Sequence, residues 1–187
     1  MKNIVVFASG SGTNAENLVR YFENHPTMRV VFILSNKPQA YVHQRAKALG
    51  IPSYTYTKEE FTNGTVLKLL QENNIDFVVL AGYMVMIDND MLEAFPQRIV
   101  NIHPSLLPKY GGKGFYGEHV HEAVVAAKEE VSGITIHYVN ECYDSGAIIF
   151  QAQVALEEGE TADSLAAKIH KLEYQHYPVV IEELIRN

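Results

Sequence analysis

The sequence of 187 residues is short of cysteine, of positive charge and of long apolar runs, and each shortage excludes a class of protein. Cys142 is the single cysteine, so no internal disulfide can form. That composition suits a reducing compartment and predicts a cytoplasmic protein. Lys and Arg number 15 against 22 Asp and Glu, for a formal net charge of −7. With no basic run, nucleic acid and anionic membranes are poor partners. Any anion must be caught locally, by backbone amides or single side chains. The N-terminal run Ile4-Val5-Val6-Phe7-Ala8 is too short for a signal peptide or a membrane span. Repeats, low-complexity stretches and linkers are also missing. The length predicts a single domain over residues 1–187, able to bury roughly 70% of its unfolded surface without staples.

What is present is an alternation of Val/Ile runs with helical patterns. Strands are expected over Asn3 to Ala8, Arg29 to Leu34, Pro52 to Tyr56, Phe77 to Ala81 and Arg98 to Ile102. Helices are expected over Thr13 to Asn24, Ala40 to Leu49 and Val66 to Asn74. Continuous apolar strands separated by helices imply a parallel sheet covered on both faces. The last third alternates instead. Gly133 to Val139 and Ala147 to Val154, joined through Asp144-Ser145-Gly146, read as an antiparallel pair. A long helix follows from about Thr161, interrupted near Pro178. The fold class is therefore α/β: a doubly wound, mostly parallel sheet with an antiparallel C-terminal extension and a long C-terminal helix.

Four features carry chemistry. Ser9-Gly10-Ser11-Gly12-Thr13-Asn14 joins the first strand to the first helix, where free amides attract an anion. The plain alternative is a tight turn. Gly10, Gly12 and Ala15 also fit a dinucleotide fingerprint, but the second strand ends in Ser35-Asn36-Lys37 with no carboxylate for a ribose. No Gly-Lys-Ser/Thr follows either, so a phosphate monoester is preferred to NAD or a nucleoside triphosphate. Asn101 and His103 are two apart on a strand that Pro104 stops, so they face one way at its carboxyl end. An amide and an imidazole there can serve an oxyanion and a proton; the bland reading is a polar strand end. Asp144 opens a turn. Near His103 it would favour imidazolium and raise the histidine's pKa, and elsewhere it is an ordinary turn residue. Glu173 falls on the apolar stripe of Leu165, Ile169, Leu172, Val180 and Leu184, where a carboxylate must be paired, ligand-bound or reach solvent at the stripe's edge. His137 faces away from Ile134 and Ile136 and is as compatible with a cleft as with a core. Glu118-His119-Val120-His121-Glu122 has residues a metal could use, but positions two apart diverge on a helix, and no metal is expected.

Taken together these segments resemble the folate-dependent glycinamide ribonucleotide formyltransferase family, over nearly the whole chain. The resemblance also rests on Leu80-Ala81-Gly82-Tyr83-Met84, on Asn101-Ile102-His103-Pro104-Ser105-Leu106-Leu107-Pro108 and on Tyr177-Pro178. It implies formyl transfer from 10-formyltetrahydrofolate, as co-substrate, to the amine of glycinamide ribonucleotide, without a metal. By the same likeness Gly12, Thr13 and Asn14 would hold the phosphate and Glu173 the ribonucleotide. Met84, Val85, Met86 and Ile87, with Asn101 and with Asn140, Glu141, Cys142, Tyr143 and Asp144, would frame the folate. Asn101, His103 and Asp144 would be catalytic. Residues 1–100 would then form the ribonucleotide-phosphate half and 101–187 the catalytic and folate half, in a monomer or weak homodimer. Methionyl-tRNA formyltransferases and folate deformylases share the core segments but need a further domain. The sequence departs from the family where Val85 stands in place of a common Arg, and where Gly111 to Gly117 is long and glycine-rich. Lys113 in that loop is the expected substitute cation for the acidic folate tail.

Overall fold

The computed structural model describes residues 1–186. Strands β1 (Lys2–Phe7), β2 (Met28–Ser35), β3 (Ser53–Thr55), β4 (Phe77–Leu80), β5 (Ile99–His103), β6 (Val131–Tyr138) and β7 (Ile148–Ala155) form one sheet in the order β3-β2-β1-β4-β5-β6-β7. Pairing is parallel from β3 through β5, and antiparallel from β5 to β6 and from β6 to β7. The helices are α1 (Thr13–Phe22), α2 (Val42–Ala48), α3 (Lys58–Thr62), α4 (Thr65–Glu72), α5 (Asn89–Ala94), α6 (Glu118–Ala126) and α7 (Ala162–Arg186).

The period of two in the strands explains the layering. In β1, Ile4 and Val6 face a core shared with Leu18, Val124, Ile169 and Ile181, whereas Val5 and Phe7 face a second core with Leu70, Ile87 and Met91. Both faces are covered, so the strand is apolar throughout, as the continuous runs required. The chain leaves β1 toward β2 on one side, and β4 lies on the other. The gap between β1 and β4 is thus the switch point where doubly wound sheets take ligands.

Three differences from the sequence reading have physical causes. The helices α3 and α5 were not expected, and both are short pieces made by their caps. Thr57 and Glu60 form a reciprocal capping box, and the Asp88 carboxylate accepts from the Met91 N–H at 3.0 Å. Strand β6 pairs antiparallel with β5 as well as with β7, setting Asn101 opposite His137 and His103 opposite Thr135. Helix α7 is not interrupted at Pro178. Proline deprives the Tyr174 carbonyl of its helical donor. The Asn17 side chain of α1 supplies another, its Nδ2 donating to Tyr174 O at 3.0 Å.

Tyr177, on the next turn of α7, is fully buried and donates its hydroxyl to Leu80 O at 2.7 Å, at the end of β4. Tyr177→Phe therefore leaves a buried carbonyl short of its donor. We expect a loss of about 1–3 kcal/mol in denaturant unfolding, and an unchanged midpoint would show that Leu80 O does not depend on that hydroxyl.

Candidate active site

The carboxyl ends of β1, β4 and β5 open into a cavity of about 510 Å³, a size suited to a small ligand. At one end lies the glycine loop. Gly12 has φ 76°, and a Cβ there would lie 2.4 Å from Val42 Cγ2, so both conformation and space demand glycine. The Gly12, Thr13 and Asn14 N–H groups have no acceptor among the described residues. They stand at the positive end of α1, which makes an anion site. Glu16 in the first turn would oppose an anion, but Arg20 and Arg45 engage it; Arg45 also donates to Ser11 O at 2.8 Å and so pins the loop. Ser9 ties the loop to the end of β4, its Oγ accepting from the Met84 N–H at 3.1 Å.

Glu173 is buried on the cavity wall, as its place in the stripe suggested. Its Oε2 accepts from Asn14 Nδ2 at 2.9 Å and meets His170 Nδ1 at 2.9 Å. That hydrogen bond raises the His170 pKa, against burial. The Oδ1 atom of Asn14 is buried without a partner. His170 was missed in the sequence, although its spacing of three from Glu173 on a helix was a usable signal.

At the other end Asn101, His103 and Asp144 converge. His103 Nε2 lies 2.7 Å from Tyr110 O, which can only accept, so Nε2 carries a proton. His103 Nδ1 lies 3.4 Å from Asp144 Oδ2, and that oxygen also accepts from the Gly112 N–H at 2.9 Å. His137 Nδ1 meets Tyr138 O at 2.8 Å and must donate there. Its Nε2 is then an acceptor, and Asn101 Nδ2 donates to it at 3.2 Å. One Asn101 N–H is fixed in this way and the other is left for the cavity. His137 thus holds the amide in place, the cleft reading left open by the sequence.

Burial outweighs the rise in the His103 pKa that Asp144, by its proximity, was expected to give and does give. Burial pulls its pKa below the ordinary imidazole value; the Asp144 carboxylate and the Tyr110 carbonyl push upward without cancelling it. The resting ring is neutral with an open Nδ1, and a proton gained there would point at Asp144. Burial would raise the Asp144 carboxyl, but the His137 and His103 rings, whenever they carry a second proton, and the Gly112 N–H bring it below its usual value. Asp144→Asn removes the charge that favours imidazolium, so the His103 pKa should fall further in an NMR titration. No change, or a rise, would separate the two residues electrostatically.

A smaller cavity of about 50 Å³ adjoins, lined by Val85, Met86, Ile87, Asn140, Cys142 and Tyr143, with Asn101 and Asp144 on the shared wall. Met84 lies on the main cavity, and Glu141 borders neither. Lys113 also borders the main cavity, while Lys109 is engaged by Glu129 at 2.9 Å. Glu118 to Ala126 is a helix, and among the described residues no cluster of metal-ligating side chains occurs. Among the described residues no helix is long and apolar enough to cross a membrane.

The chain as a whole is similar to known proteins. The family model described as "Formyl transferase" matches residues 2–181. Phosphoribosylglycinamide formyltransferase of Bacillus subtilis is 37% identical over 99% of this chain and 95% of its own length. The enzyme of that name from Haemophilus influenzae is 35% identical over 97% of this chain and 86% of its own. The solved phosphoribosylglycinamide formyltransferase of Bacillus halodurans superposes with a TM-score of 0.88 at 40% identity, over 98% of this chain and 95% of that one. That of Streptococcus pneumoniae gives 0.87 at 38%, over 99% of both chains. With a family model over residues 2–181 and relatives of 35–40% identity over nearly the whole chain, the chain belongs to the formyl transferase family.

Proposed function

We propose that this enzyme transfers the formyl group of 10-formyltetrahydrofolate to the amine of glycinamide ribonucleotide, giving formylglycinamide ribonucleotide and tetrahydrofolate. The observation that carries the reading is the arrangement of one cavity: an anion-binding helix start at one end and the Asn101, His103 and Asp144 constellation at the other. The phosphate sits on the Gly12 to Asn14 amides and Glu173 receives the ribose hydroxyls. The pterin lies between the Met84 to Ile87 loop and the Asn140 to Asp144 turn.

The amine nitrogen attacks the formyl carbon, and the carbonyl electron pair moves onto oxygen. The free Asn101 N–H donates to that oxyanion. The proton released by the amine passes to His103 Nδ1, where Asp144 stabilises the imidazolium. His103 then returns it to N10 of the folate as the C–N10 bond breaks and the carbonyl re-forms. No metal takes part in these steps. Mixing the protein with both substrates should release tetrahydrofolate in amounts equal to the ribonucleotide formylated. Absence of transfer by folded protein would overturn the assignment.

A further inference from the structure

His121, on α6, is a buried imidazole for which the scheme above has no use. The residue is 3% exposed, and Nδ1 is fully enclosed without a hydrogen-bond partner. Its Nε2 has no protein partner either, and the residue borders the main cavity. A buried polar group left unpaired costs about 1–3 kcal/mol. The other buried residues of α6, Val120 and Val124, are apolar.

Resting on the proposed function, we infer that His121 is a further substrate-contact residue, whose Nε2–H donates to the carbonyl oxygen of the amide between the ribose and the reacting amine. Three observations carry this. An enclosed N–H without an acceptor is rarer in proteins than an enclosed lone pair without a donor, so the proton belongs on Nε2 and not on Nδ1. That makes the ring a donor facing the cavity. The ring also lies between the two ends of the site, within electrostatic reach of His170 and Glu173 on one side and His103 on the other. A substrate with its phosphate on the glycine loop and its amine at His103 must pass its amide through that interval. Finally, burial holds the ring neutral, with both histidines acting in the same sense. A neutral donor can orient an amide without drawing the nearby amine's electrons into a salt.

The test compares His121→Leu with His121→Gln by steady-state kinetics and thermal unfolding. In the leucine variant we expect Tm equal to or above the parent's, since an unpaired polar group is removed. KM for glycinamide ribonucleotide should rise on the order of tenfold, with KM for the folate unchanged. Glutamine, whose Nε2 reaches a similar place, should recover most of that loss. An unchanged ribonucleotide KM in the leucine variant overturns the inference. So does a lowered Tm with both KM values rising together, which would mark a packing role. Should the leucine variant not fold, the glutamine variant decides alone: a ribonucleotide KM near the parent's supports the contact, and one raised equally with the folate KM refutes it. Parent protein that fails to turn over the two substrates would sink the proposed function instead.

Discussion

His103→Ala lowers turnover at saturating substrates by about 10²- to 10⁴-fold, the usual loss when a positioned proton-transfer group is removed. Both substrates should still bind, because His103 contacts the reacting atoms and neither the phosphate loop nor the pterin. The alanine leaves Tyr110 O and Asp144 Oδ2 without the ring between them, though Gly112 N–H still holds the carboxylate. Equal falls in kcat and kcat/KM for the ribonucleotide would locate the loss in the transition state. The pH profile adds a second check. In the parent, the ring must be neutral at Nδ1 to take the amine's proton. Activity should therefore fall as the pH drops through the His103 pKa, which burial has already moved below the ordinary imidazole value. That acid limb should vanish from the residual activity of the alanine variant. Near-normal turnover would remove His103 from the chemistry.

Gly146→Ala should be the most damaging conservative change in the catalytic turn. A Cβ at Gly146 would stand 1.7 Å from Tyr138 O and 2.7 Å from Tyr138 C. Both are backbone atoms of β6, so no side chain can move aside. Overpacking of this kind typically costs about 1–3 kcal/mol. The strain also has a catalytic address. Asp144, two residues earlier, is already in the left-handed region at φ 51°, and its carboxylate must stay within reach of both histidines. Relief of the clash shifts the turn against β6 and moves that carboxylate. We expect a lower denaturation midpoint together with a fall in kcat larger than any change in ribonucleotide KM. A stable, fully active variant would show that the turn tolerates displacement.

Much of this was legible in the sequence because strands and site share one cause. Buried parallel strands write themselves as Val/Ile runs, and their carboxyl ends hold the polar residues that break those runs. Asn101 and His103 could be placed on one face before any distance was known. Glu173 broke the apolar stripe it stands in, whereas Gly12 and Asp144 also suited plain turns and gained meaning only with their neighbours. The pairing of β5 with β6 was not legible, since strand order is set by contacts distant in sequence. His121 was hidden for another reason. Its spacing among valines looks the same for a core imidazole and for one that borders a cavity. The charge of His103 failed as well: the carboxylate partner could be guessed from the sequence, whereas the degree of burial that outweighs it could not. At Pro178 the rule about broken helices was sound, but Asn17 had met the cost from another helix.

Two of the bonds from α1 to α7, Asn14 to Glu173 and Asn17 to Tyr174, join residues separated by 159 and 157 positions. A chain made from its amino terminus can form the β1 to β5 layers, with the glycine loop among them, while α7 is still inside the ribosome. Such a nascent chain has the amides for a phosphate but no carboxylate beside them. On the proposed function, full ribonucleotide capture waits until α7 has joined α1. Until then, substrate could not act as a chaperone for the growing chain, whereas in the folded protein it would hold α1 and α7 together and stabilise both at once.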